Sequence, residues 1–220
     1  MFDSSFFFHL FPIMFRYIDV TLGISLAALL LALLIAVVIA AAYYLNIPGL
    51  KQVCAAWVSL FRGTPLLAQV FWICYGLPQV IVPMQRVSVM TLIIWGVAFN
   101  ASSYMSETLR GALSSVSSAQ MEASLACGMT RMQGFWHIVF PQAVRVAVPG
   151  LSNNFVDIIK QSSLAFTLGV TEIMAVARME GSTNLKFLES FTAVMVVYWL
   201  IVTFFNYLQK LLEKWLSRMY

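Results

Sequence analysis

Charge is what this sequence has least of. Only 10% of its 220 residues are Asp, Glu, Lys or Arg, where a soluble domain carries about 25%. Hydrophobic residues make up 61%, more than a soluble fold can hide, so the composition predicts an integral membrane protein. Histidine is nearly missing, with only His9 and His137, and the cysteines Cys54, Cys74 and Cys127 lie far apart without a CxxC pair. That excludes a zinc site or histidine-based triad; no metal site and no catalytic residue is expected. No glycine is followed five residues later by Gly-Lys, and HExxH and nucleophile-elbow patterns are missing too. The chain therefore does not bind nucleotide by a phosphate loop, and no cofactor of its own is expected. A basic region and a small-residue cleavage site are lacking at the N-terminus, which is expected to be retained.

What is present is a series of apolar segments. Residues 2–15, rich in aromatics and broken by His9 and Pro12, are too short to span and predict a re-entrant or interfacial helix. Between Asp19 and Lys51 lie 31 uncharged residues, where a span needs roughly 20. Ala28, Ala32, Ala36 and Ala40 recur every four residues there; they form a smooth ridge for a neighbouring helix or reflect the general abundance of alanine in membrane helices. Expected spans are 20–45, 57–82, 87–109, 147–170 and 190–209, with a loop over 171–186. Together they make one membrane domain over residues 1–220, all-α, with five transmembrane helices. The net charge of +4 is read as topology rather than as affinity for nucleic acid. With the N-terminus outside, eight Lys and Arg fall inside (Lys51, Arg62, Arg110, Arg131, Arg145, Lys210, Lys214, Arg218), four fall outside (Arg16, Arg86, Arg178, Lys186), and Lys160 lies within a span. This imbalance predicts N-out, C-in, with the polar loop 120–142 on the cytoplasmic side.

A charge in the middle of a span costs about 2.5–3.5 kcal/mol and needs a partner or a purpose. Glu107 with Arg110, and Asp157 with Lys160, are three apart and can pair on a helix. The first pair, near the inner boundary, predicts a clasp. The second lies beside Asn153, Asn154, Gln161, Ser162 and Ser163; it is either a clasp or part of a water-filled path for a polar solute. Asn100, Ser103, Tyr104 and Glu107 fall on one helical face, so Asn100 and Tyr104 are further candidates for that path.

In the loop, a short helix carrying Glu122, Ala123 and Leu125 is expected to stop at Gly128, which allows a sharp turn. An amphipathic piece with Met132, Phe135, Trp136 and Ile138 follows, and Pro141 is expected to set the turn into the fourth span. This stretch resembles the cytoplasmic coupling loop of permeases in ATP-binding-cassette importers, whose pattern is Glu-Ala-Ala, three residues, Gly, nine residues, Ile, one residue, Leu-Pro. Here it reads Glu122-Ala123-Ser124, Gly128, Ile138-Val139-Phe140-Pro141; spacing is kept and Ser124 and Phe140 depart from the pattern. Arg62-Gly63-Thr64-Pro65 and Glu107-Thr108-Leu109-Arg110-Gly111 look like signatures of the polar-amino-acid branch. At the fourth-span motif Gln161 and Ser162 replace the more usual Asp-Thr.

The resemblance implies a second permease subunit, identical or similar, and two ATPase subunits carrying ATP and magnesium. It also implies an external solute-binding protein, an amino-acid substrate, and a bacterial inner-membrane location among lipid. Glu122, Ala123, Ser124, Gly128, Ile138 and Pro141 would couple to the ATPase. The run from Ser163 to Met174 is similar to permeases for cystine and related sulfur compounds. The competing reading is a channel or passive membrane scaffold that docks a soluble partner through the same loop.

Overall fold

The structure is a computed structural model and describes residues 2–217; Arg218, counted in the basic tail, lies outside them. The described residues are helical with no strand among them. A short α1 (Ser4–Phe15) is followed by the long α2 (Ile18–Tyr44) and then α3 (Leu50–Gly63). Next come α4 (Leu66–Phe71), a π turn at Trp72–Gly76, and α5 (Leu77–Val80). After α6 (Val89–Ser115), the polar segment forms α7 (Ser118–Ala126) and α8 (Arg131–Gly134). A second π turn, Phe135–Val139, leads directly into α9 (Phe140–Gln161), which tightens into a 3₁₀ helix at Ser162–Leu168. The chain ends with α10 (Ile173–Asn184) and α11 (Phe187–Ser217).

The alanine ridge explains the centre of the bundle. Ala28, Ala32 and Ala36 are completely buried and Ala40 nearly so, and α2 lies along α6 over most of its length. Small side chains let two backbones approach, which in a bilayer replaces the hydrophobic drive available in water. The apolar core formed here takes in Val70 and Ile73 from the α4 segment and Ile158 from α9. Gly96 belongs to the same contact: a Cβ there would meet Val70 Cγ2 at 2.9 Å. A second core joins α1, α10 and α11 around Leu10, Met14, Ile173, Val197 and Ile201.

Among the described residues, three helices, α2, α6 and α11, are long and apolar enough to cross a membrane. α3 with the α4–α5 segment makes a fourth candidate, bent by 111°. The expected continuous stretch 57–82 is thus two helices, because Thr64 and Pro65 are extended and break the ladder. α9 carries Asp157 and Lys160 and does not reach that apolar threshold, as its charges foretell. The expected loop 171–186 is instead the helix α10, started by the Glu172 side chain, which accepts from the backbone N–H groups of Met174 and Ala175.

Candidate functional site

Gly63–Leu66 is the first place where the fold needs side chains to finish it. The break frees backbone carbonyls inside protein, and such groups must be paired. Gln69 Nε2 donates to Phe61 O (3.0 Å), Thr64 O (3.0 Å) and Thr64 Oγ1 (2.7 Å). Asn100 Nδ2 donates to Phe61 O (2.9 Å) and to Gln69 Oε1 (3.0 Å). Asn100, expected along a solute path, is buried and spends its amide on this repair.

Beside the break, the remaining signature residues converge. Glu107 receives Arg110 through Nε (3.2 Å) and Nη2 (2.5 Å), and Arg62 of α3 approaches the same carboxylate at 3.8 Å. Arg62 also lies over the Tyr104 ring, and Arg110 over Tyr43 of α2. The Glu107–Arg110 clasp therefore extends to three helices. Its groups are largely exposed, so it contributes on the order of 1 kcal/mol or less to stability. Gly63 and Gly111 are exposed, with open space where a Cβ would stand.

The loop 120–142 is a helix–turn–helix. α7 ends where Gly128 takes φ +86°, a left-handed conformation that a glycine adopts without cost. Thr130 then starts α8 with a reciprocal capping box to Gln133. Ser124 is buried under Gly134, so close that a Cβ on Gly134 would lie 2.3 Å from Ser124 Oγ. Glu122, Ala123 and Gly128 remain exposed on the outer side, with Ile138 half-buried. The two ends are tied by a reciprocal pair of amides between Gln120 and Gln142, and Gln142 Nε2 also donates to Ile138 O (2.7 Å). Phe135 rests on Tyr44 at the end of α2, with centroids 5.1 Å apart.

Pro141 does not make the expected turn. It sits in the first turn of α9, and the helix accommodates it by widening just upstream, where the Phe140 N–H reaches back to Phe135 O. The wider turn moves carbonyls that the proline ring would otherwise strike.

On α9, Asp157 and Lys160 pair at 2.6 Å with both side chains 55% exposed. Asn153 is exposed beside them, and Asn154 accepts from Thr108 Oγ1 of α6 (3.2 Å). Gly150 lets α6 come this near, since a Cβ would meet Thr108 Cγ2 at 2.5 Å. Of the other path candidates, Tyr104 is exposed, Gln161 and Ser163 are half-buried, and Ser162 is wholly buried, donating to Ile159 O (2.8 Å).

Glu172 escaped the sequence reading as a structural centre. It is fully buried, caps α10, and accepts from Tyr198 Oη of α11 at 2.9 Å. An acidic residue shortly after Gly169 with a helical pattern behind it was the available signal.

Comparison with known proteins fits this arrangement. Residues 13–218 match the family described as binding-protein-dependent transport system inner membrane component. The chain is 40% identical over 219 residues to the probable amino-acid ABC transporter permease protein PatM of Vibrio harveyi, covering 100% of this chain and 98% of that one. It is 38% identical over 218 residues to the probable amino-acid permease protein YxeN of Bacillus subtilis, covering 99% and 97%. The L-cystine transport system permease protein TcyB of Bacillus subtilis is 31% identical over 208 residues, covering 94% and 88%. Among solved structures, an amino acid ABC transporter with histidines superposes with a TM-score of 0.88 at 26% identity, covering 97% of this chain and 99% of that one. A match over almost the whole length makes this chain a member of the binding-protein-dependent transport system inner membrane component family, a permease subunit of the bacterial inner membrane.

Proposed function

We propose that this chain is the permease of an amino-acid importer and converts ATP-driven movement of partner ATPases into alternating access. Two permease subunits pair across the polar side of α9. Two ATPase subunits, holding ATP and magnesium, receive one loop each, and an external solute-binding protein delivers the amino acid. The observation that carries this reading is the loop 120–142, closed at its base by Gln120 and Gln142 and exposed at Glu122, Ala123 and Gly128. A loop stitched at both ends passes a push on its tip into α6 and α9 rather than absorbing it.

N-out, C-in topology supplies the direction: the loop faces the cytoplasm, with Asp157, Lys160, Asn154, Tyr104, Gln161 and Ser163 along the solute's way. Asp157 and Lys160 present one charge of each sign, which suits an α-ammonium and an α-carboxylate. Within amino acids, the 31% likeness to an L-cystine permease leans toward cystine or a related sulfur compound, with an octopine permease of Rhizobium radiobacter equally similar at 32%, while the nearer relatives carry no side-chain name.

The test is uptake by the reconstituted transporter. Gly128→Val forces a β-branched residue into a left-handed turn, and Glu122→Lys reverses an exposed charge. Each is expected to abolish uptake and the stimulation of ATPase activity while the permease still reaches the membrane. Uptake at full rate in both variants, or without any ATPase, would show a channel or scaffold instead.

A further inference from the structure

An apolar groove of about 670 Å³ opens along the seam between α2 and α9, within the range of ordinary ligand sites. Val37, Ala41 and Tyr44 line one wall and Val144, Ala147 and Leu151 the other. On α9 alone the lining runs from Phe140 to Leu151, about 16 Å of helix. The small side chains of Ala41 and Ala147 leave the volume unfilled by the chain itself.

One end of the groove differs from the rest. Trp136 and Arg131 stand there, both exposed, and none of the ion pairs among the described residues involves Arg131. An indole and a guanidinium at the end of an apolar channel match the boundary between acyl chains and headgroups.

The direction of the opening separates a lipid from another protein. At about 100° per residue, the groove residues Ala143, Val144, Ala147, Val148 and Leu151 centre about 140° around α9 from Asn153, Asp157 and Lys160. If the polar face meets the second permease, the groove looks away from it, into the bilayer. Its mostly apolar walls offer water few hydrogen-bond partners.

We propose that the groove binds one acyl chain of an anionic phospholipid of the inner leaflet, with its phosphate on Arg131. This rests on the polar face of α9 being the permease–permease side. Bound there, the lipid touches α8, the second π turn and the end of α2 together, so it braces the loop 120–142 from the membrane side.

Native mass spectrometry of the delipidated transporter complex, titrated with phosphatidylglycerol or phosphatidylcholine, tests this. The wild type is expected to retain phosphatidylglycerol preferentially. Arg131→Gln should lower that retention about tenfold, to the phosphatidylcholine level, and Ala41→Phe, filling a half-buried wall, should lower both. Undiminished phosphatidylglycerol retention in Arg131→Gln overturns the proposal. So does an Ala41→Cys variant that cross-links to a second permease or to an ATPase, since a protein then occupies the groove. The readout is lipid retention rather than uptake, so its failure leaves the transport reading untouched, and failed coupling in Gly128→Val leaves this one untouched.

Discussion

Of the two departures of this loop from the pattern it resembles, one amounts to a single oxygen atom. Where the importer signature has a second alanine, this chain has Ser124, whose hydroxyl donates to Met121 O (2.7 Å) and fills the space over Gly134. Gly134→Ala should therefore overpack the contact and cost about 1–3 kcal/mol of loop stability. Ser124→Ala in the same chain removes the nearest clashing atom and leaves Met121 Sδ at 3.0 Å and the Cβ of residue 124 at 3.3 Å, contacts that a shift of the flexible methionine tip can absorb. Thermal unfolding and coupled ATPase activity of the single and double variants check this: the single should fall and the double should recover most of the loss. Such pairs are hidden from sequence because they depend on distance between helices, not spacing along the chain. The same limit explains Asn100. Its helical phase with Tyr104 and Glu107 was legible, but the freed carbonyl of Phe61 that claims its amide was not.

Among whole elements, apolar length was the most legible signal. α2 starts at the edge of its uncharged run but stops at Tyr44, short of Lys51, and α6 and α11 outrun their apolar stretches by a turn or more because a helix need not end where polarity begins. Element ends at Pro65 and Pro141 were misjudged in opposite ways. Pro65 follows an extended Thr64 and breaks the helix, whereas Pro141 and Pro78 each follow a π turn that lets the helix continue. The sequence marks all three alike.

α1 is fastened to α11 by its first turn. Asp3 caps α1 through the Phe6 N–H (3.0 Å) and pairs with Lys186 Nζ at 2.6 Å, while the Asp3 N–H donates to Glu189 Oε1 (2.9 Å). Lys186 holds the Asp3 carboxyl below its ordinary value. A depressed carboxylate contributes fully above its unfolded pKa, about 3.9, and that contribution disappears as pH falls through the lower folded value. The fastening should thus be constant from pH 5 to 8 and weaken only below about pH 4. A spin label at exposed position 8 should gain mobility over that acid range, and Asp3→Asn should raise its mobility at neutral pH and flatten the change.

For the molecule as a whole, the balance of charge and packing decides where function sits. The Asp157–Lys160 pair is half-exposed, so as a clasp it is worth about 1 kcal/mol at most. Exchanging the two, Asp157→Lys with Lys160→Asp, keeps an ion pair at the same spacing but reverses the order in which a solute meets the charges. The exchange should leave the amount of assembled complex unchanged and reduce uptake at least tenfold. Normal uptake in the exchanged chain would make the pair structural. The composition announced a membrane protein, and the loop spacing announced its family. Which faces meet across helices could not be read, since the neighbour that covers each face of α9 depends on how the helices pack and not on spacing along the chain.

The widened turn at Phe135–Val139 holds one residue more than an α-helix would need. It acts as a phase setting between the loop and everything beyond it on α9. Were the same residues wound as a plain α-helix, everything beyond them would turn by about 100° relative to the loop. Asp157 and Lys160 would then face a different neighbour while Gly128 stayed in place. The spacing from glycine to proline in this family is, in that sense, a gear ratio written as a residue count.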